Sequence, residues 1–208
     1  AGSEKFHSAM LPHAGPDSRV HREVTQLGAE LGCLAEVVGS TVMSDVALLF
    51  DWESWWASEL RSHPSQQFRY RDAVLHVYEQ FWRRGVTVDV VPPTADLGSY
   101  PLVVVPSLYL MTDATIDQLS RVAKNGGSVF ATFFSGTVDE PDHIRAGGYP
   151  GGLRDLLGLL VEEFRPVRRE EQVRLDDGAS GAVWSEEIET VDATVLASFA
   201  DGSCAGRP

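Results

Sequence analysis

The order of apolar and polar positions predicts alternating strands and helices between residues 46 and 157. Four short apolar runs indicate strands, and stretches with apolar residues three or four apart indicate helices between them. The predicted strands cover residues 46–50, 86–91, 102–105 and 128–134. The predicted helices are 67–84 with Gly85 as its cap, a helix that begins at Thr112 or Asp113 and ends at 125–127, and a short helix around 153–157. This alternation is typical of an α/β fold with a doubly wound, mostly parallel sheet.

Both flanks of this alternating region have a different pattern. Residues 1–16 are irregular, and residues 17–38 predict one long amphipathic helix with Asp17 as its N-cap and an end by Gly39. Beyond Leu160 the pattern indicates strands at 161–167, 172–175, 182–185 and 193–200. These strands are expected either to extend the sheet or to form a small antiparallel lobe.

Three tryptophans and two acids follow the first predicted strand. Trp52, Trp55 and Trp56 are interleaved with Asp51 and Glu53, at the strand end where an open α/β sheet places its ligand-binding loop. Bare backbone N–H groups would suit a phosphate there, whereas carboxylates repel one and indole rings fill the space. The segment therefore indicates a loop that contacts a sugar, an aromatic group or another protein surface. The alternative is that the three rings fill a core beneath the loop.

Charge and cysteine content narrow the classes of partner. The net charge of −13 argues against nucleic acid and anionic membranes, because both require cationic contacts. The chain has no apolar run of the roughly 18 residues that a membrane span needs. Its two cysteines, Cys33 and Cys204, support neither a disulfide framework nor a zinc cluster. A reducing compartment, the cytoplasm, fits this composition.

The residues give little support for a catalytic or cofactor site. Ser107 and Ser135 follow the third and fourth strands, where an α/β enzyme places its nucleophile, but neither lies in G-x-S-x-G and His143 is the nearest downstream histidine. The glycine cluster at 146–152 lacks the residues of a P-loop. The histidines are scattered, so no metal site and no cofactor are predicted. A small hydrolase that uses Ser107 stays an alternative, and a flavodoxin-like cofactor binder is a weaker one.

Two segments resemble a known family. Glu4-Lys-Phe-His-Ser-Ala-Met10, together with residues 11–15 and 17–19, is similar to the end of the catalytic barrel in β-galactosidases of glycoside hydrolase family 42. Residues 50–57, Phe-Asp-Trp-Glu-Ser-Trp-Trp-Ala, resemble the trimerisation domain of the same enzymes. The resemblance extends from Glu4 to about residue 200. It implies a fold like that of flavodoxin and of class I glutamine amidotransferases, and assembly as a homotrimer through this domain.

The resemblance also implies that two segments of the chain belong to different parts of the enzyme. Residues 1–38 would be the remnant of the last barrel strand and helix plus a linker, and residues 39–208 the trimerisation domain. The two catalytic glutamates would lie in barrel strands outside this chain, so no residue here is expected to be catalytic. Glu4 and His7 would bind galactose, but only together with the rest of the barrel. Trp52, Trp55 and Trp56 would lie near the subunit seam or at the mouth of the active site.

Overall fold

The computed structural model describes residues 9–11, 13, 15–63 and 65–200. The chain divides into two compact units, Ala1–Val42 and Met43–Pro208, and each is described by itself. Glu4 and His7, the residues expected to bind galactose, lie outside the described residues.

The first unit contains a single long helix among its described residues. Helix α1 spans Arg19–Gly32, and its N-cap is Ser18, whose hydroxyl accepts a hydrogen bond from the backbone N–H of His21 at 3.2 Å. The prediction of Asp17 as the cap was therefore wrong by one residue. The helix also ends earlier than predicted, at Gly32, and a short 3-10 turn, Ala35–Val37, follows it. The apolar positions Leu27, Leu31 and Leu34 are about half exposed.

A four-stranded parallel sheet forms the centre of the second unit. Its strands are β1 (Val46–Leu49), β2 (Val88–Val91), β3 (Leu102–Val105) and β4 (Ser128–Ala131), in the spatial order β2-β1-β3-β4. All four were predicted, and 102–105 had the observed bounds. Strand β1 is central and fully buried, as a strand covered on both faces must be.

Helices cover both faces of this sheet. They are α2 (Trp52–Ser58), α3 (Tyr70–Trp82), α4 (Asp113–Lys124) and α5 (Arg154–Leu157). On one face Leu48 and Val104 belong to the cluster that contains Tyr70 of α3. On the other face Leu49 and Val103 lie in the cluster that contains Leu119 of α4. Successive strand residues thus serve opposite faces, and the doubly wound α/β prediction is confirmed.

Element ends differ from prediction where the backbone finds local partners. Thr112 caps α4 as expected, accepting from Thr115 N at 3.2 Å. Helix α3 begins three residues late, at Tyr70, whose N–H donates to the carboxylate of Glu59 at 3.0 Å. Its C-cap is Arg83, not the predicted Gly85. Gly85 lies two residues beyond the cap and has φ of +69°. Strand β4 ends at Ala131, earlier than the predicted 134, and Phe134 adopts φ of +64°, outside the extended region.

The C-terminal strands form separate antiparallel pairs rather than an extension of the sheet. Strand β5 (Leu159–Pro166) pairs with β8 (Trp184–Thr190), and β6 (Val173–Arg174) pairs with β7 (Ser180–Gly181). The predicted strand at 182–185 is the beginning of a longer one, and the strand predicted at 193–200 was wrong. That last segment contributes one bridge, Leu175 to Phe199. Among the helices that the structure describes, none has the length and apolar composition required to cross a bilayer.

Candidate functional site

The tryptophan segment forms a helix at the carboxyl edge of the sheet, not the predicted loop. Asp51 follows β1 in an extended conformation, and its carboxylate accepts from Ser54 N at 2.7 Å, so it is the N-cap of α2. A capping side chain of this kind stabilises a helix by about 1 kcal/mol. The carboxylate is therefore hydrogen-bonded to the backbone of α2. This capping role accounts for an acid at this position, and no ligand is needed to explain it.

Tyr70 holds the junction between β1 and α2 by a hydrogen bond to the backbone. The backbone N–H of Asp51 donates to its phenolic oxygen at 3.1 Å, and the ring is fully buried. Burial raises the pKa of Tyr70 to about 12, since the phenolate would be desolvated. Tyr70 is therefore a neutral structural group.

Ser54 ties α2 to the segment that follows β3. Its hydroxyl donates to the carbonyl of Leu110 at 3.2 Å and accepts from the N–H of the same residue at 3.0 Å. Ser54 is fully buried. Its two hydrogen bonds satisfy the N–H and the carbonyl of Leu110, which would otherwise need water as a partner. The position of α2 on the sheet is thereby set by a side chain that the sequence interpretation did not single out.

The three indoles share one side of α2, because positions 52, 55 and 56 are three and four residues apart. Trp52 stacks on Trp55 with ring centres 5.4 Å apart, and Trp56 lies 6.4 Å from Trp52. Trp55 is half-buried and packs against the Phe50 ring. Trp52 and Trp56 stay 57% and 66% exposed, which is unusual for side chains of this size. We call the exposed side chains Trp52, Trp56 and Leu60 the indole surface.

The serine elbows carry no catalytic machinery among the described residues. Ser107 has φ of +48° and is fully buried. Its hydroxyl lies 3.1 Å from that of Thr132, not beside an imidazole. Ser135 donates to the carbonyl of Val105 at 3.0 Å. His143 is exposed and faces Asp139, so the geometry does not favour the hydrolase alternative.

Two further features concern ionisable groups. The described part of the chain contains no cluster of histidine, cysteine and acidic residues that could hold a metal ion. Glu186, which the sequence interpretation missed, is a half-buried residue whose carboxyl pKa is raised by desolvation. The signal was available: Trp184, Glu186 and Ile188 alternate along β8, so this acid shares the inward face of the strand with two apolar residues.

Comparison with known proteins identifies relatives along the whole chain. Residues 44–208 match the model of a family described as the β-galactosidase trimerisation domain. A β-galactosidase from Arthrobacter sp. is 47% identical over 208 residues, which is all of this chain and 30% of that protein. The β-galactosidase BgaB from a Geobacillus strain is 43% identical over 212 residues, covering all of this chain and 32% of that protein.

A solved structure gives the same result. The crystal structure of a β-galactosidase from Bacillus circulans sp. alkalophilus superposes with a TM-score of 0.87 at 32% identity, covering 99% of this chain and 32% of that one. The chain therefore spans about a third of the length of the relatives that it matches.

Proposed function

Because this chain belongs to the family of β-galactosidase trimerisation domains, found in enzymes of glycoside hydrolase family 42, we propose that it assembles a β-galactosidase as a homotrimer. The match of the family model over residues 44–208 carries this proposal. A trimerisation domain is a self-associating one, so the chain's principal partner is another copy of itself.

The chain is proposed to be the non-catalytic part of a longer enzyme that hydrolyses terminal β-D-galactosides with retention. Retaining hydrolysis requires two carboxyl groups about 5–5.5 Å apart across the glycosidic bond. The relatives are about three times as long as this chain, which leaves room for those residues elsewhere. The cytoplasm stays the proposed location, supported by the low cysteine content.

The division proposed from the sequence places the end of a catalytic barrel at residues 1–38 and the trimerisation domain at 39–208. The family match lies wholly within the second part. The half-exposed leucines of α1 support the first, because a barrel helix buries its apolar side against neighbouring strands and helices. Glu4 and His7 are proposed to bind the galactose unit when the remainder of that barrel is present.

The indole surface is proposed to lie at the seam between subunits. A three-fold ring requires a heterologous interface, in which one patch meets a different patch on the next copy. Exposed tryptophans are enriched among the residues that dominate interface energies. Two indoles more than half exposed on one short helix provide such a patch, and the mouth of the active site is the second position that the resemblance allows.

Paired substitutions test the seam. Trp52→Ser with Trp56→Ser is expected to lower the mass measured by sedimentation equilibrium towards that of one chain. Trp82→Ser is the control, because Trp82 is 68% exposed on the different helix α3 and is expected to leave the mass unchanged. The seam assignment is wrong if the double variant assembles as the unchanged chain does, or if Trp82→Ser alone abolishes assembly.

Galactose binding is tested in the full-length enzyme. His7→Ala is expected to lower kcat/KM for a nitrophenyl β-galactoside by more than tenfold, since removal of one substrate contact typically costs about 1–3 kcal/mol. His13→Ala, six residues further along the chain, is the matched control. An unchanged kcat/KM in the His7 variant would remove that residue from the proposed site.

A further inference from the structure

A cavity of about 150 Å³ lies beside the carboxyl end of β4. It is bounded by the residues that follow β4 on one side and by β5 and β8 on the other. Its wall is mainly aromatic and aliphatic, and the rings that contribute are Phe133, Phe134, Tyr149 and Phe164. Carboxyl ends of parallel strands are the usual ligand-binding edge of an α/β sheet. The cavity lies beside the end of β4, whereas the indole surface follows β1.

Glu186 is one of the residues that line this cavity. One of its oxygens accepts from the indole N–H of Trp184 at 3.0 Å. The other oxygen has no hydrogen-bond partner among the described residues. Desolvation raises the pKa of this carboxyl, and the Trp184 hydrogen bond only partly opposes that shift. A carboxylate held this way is stabilised by any ligand that brings a positive charge to it.

Among the described residues, no positively charged side chain lines the cavities beside Glu186. The linings of this cavity and of a second one of about 270 Å³ on the other side of Glu186 contain no lysine, arginine or histidine. Three of the side chains with hydroxyls in the first cavity have hydrogen bonds: Ser135 donates to Val105 O at 3.0 Å, Thr137 donates to Phe134 O at 3.0 Å, and Thr132 accepts from Ser107 N at 2.8 Å. Glu186 is the carboxyl group in this lining, which also contains the phenol side chain of Tyr149.

The aromatic rings at this cavity pack against one another. Phe134 and Trp184 have ring centres 4.3 Å apart, and Tyr149 and Phe164 have theirs 4.6 Å apart. Aromatic faces attract cations through the ring quadrupole, most strongly where water is excluded. A cavity lined by aromatic rings with one carboxylate in its wall suits an alkylated ammonium group.

We propose that this cavity binds a small organic cation, with its ammonium group on the Glu186 carboxylate and its alkyl body among the rings. The volume corresponds to about five water molecules at liquid density, so the ligand has about five non-hydrogen atoms. Larger amines would protrude into solvent. The site is independent of the proposed assembly function, and either can fail without the other.

The test uses the isotope-labelled chain and 2-methylpropylammonium chloride as the probe. The indole N–H of Trp184, one of five in the chain, is assigned from the signal that Trp184→Phe removes. We expect this signal to shift saturably with probe concentration. Glu186→Gln keeps an acceptor for the indole but removes the charge, and should weaken binding about tenfold or more, which corresponds to at least 1.4 kcal/mol. Glu189→Gln, an exposed position on the same strand, should bind as the unchanged chain does.

A neutral probe tests the role of charge without any substitution. 2-Methylpropan-1-ol has the same shape and number of heavy atoms as the cation, and it should bind about tenfold more weakly or not at all. Equal binding of the alcohol and the ammonium would overturn the proposal, even if Glu186→Gln failed to fold. A Trp184 signal that does not saturate with the ammonium, or that responds equally in a folded Glu186→Gln variant, would overturn it as well.

Discussion

Asp51 has a structural role that the sequence interpretation did not include. The sequence placed it at the end of a buried strand, and the structure agrees. Its charge suggested repulsion of a ligand, whereas the carboxylate is hydrogen-bonded to the backbone of α2. An acid followed by a short run without glycine or proline is also an N-cap signal, which the sequence interpretation did not use.

Replacing Asp51 separates these two roles. Asp51→Ala should lower the free energy of unfolding by about 1 kcal/mol, because the N–H of Ser54 loses its acceptor. Asp51→Asn keeps a capping oxygen and should cost less. Glu53→Ala, an exposed position in the same turn, should change stability by less than about 0.5 kcal/mol. Urea denaturation measures all three, and equal losses at 51 and 53 would contradict the capping role.

Glu186 should make stability depend on pH. Its pKa in the folded chain is raised above the ordinary value of 4.5, so the folded chain holds this proton more tightly than the unfolded chain. The stability that Glu186 contributes is therefore complete below about pH 4.5 and is lost as the pH rises through the raised pKa. The unfolding free energy of the unchanged chain, relative to Glu186→Gln, should fall over the pH range that extends upward from 4.5. A difference that stays constant or grows over this range would show that the carboxyl is not desolvated.

At the scale of elements, the long apolar runs were the most informative. Strands β1 and β3 are buried on both faces, so their hydrophobic runs are continuous and their positions were predicted. Helix α2 has seven residues, too few for helical periodicity to be recognised. The C-terminal strands are short or half-exposed pairs, and their ends depend on pairing partners distant in sequence.

The attachment of α2 to the sheet gives a prediction at this scale. Ser54→Ala should cost about 1–3 kcal/mol, because the buried N–H of Leu110 loses its acceptor. Ser58→Ala is the matched control: Ser58 is also buried, but its hydroxyl donates to Trp55 O in its own helix at 3.3 Å. Ser58→Ala should therefore cost less than Ser54→Ala. Thermal unfolding monitored by circular dichroism measures both, and a neutral Ser54→Ala would contradict the proposed attachment.

At the scale of the whole molecule, the sequence predicted the sheet and its helices from periodicity, and the family from two short motifs. Periodicity could not place the aromatic cavity beside Glu186, because its walls come from residues within 131–137, 149–164 and 186–188, which only the folded chain brings together. The same limit applies to the indole surface. The sequence indicated that the indoles are prominent, but their exposure depends on where Tyr70 and Ser54 hold α2.

Assembly into a homotrimer is the central claim, and the mass of the chain in solution tests it most directly. Light scattering coupled to size-exclusion chromatography should be measured over a hundredfold range of concentration. We expect the mass to approach three times the 22.7 kDa of one chain as concentration rises, since association of this kind is governed by mass action. A mass that stays at 22.7 kDa across the whole range would contradict the claim that this domain trimerises by itself.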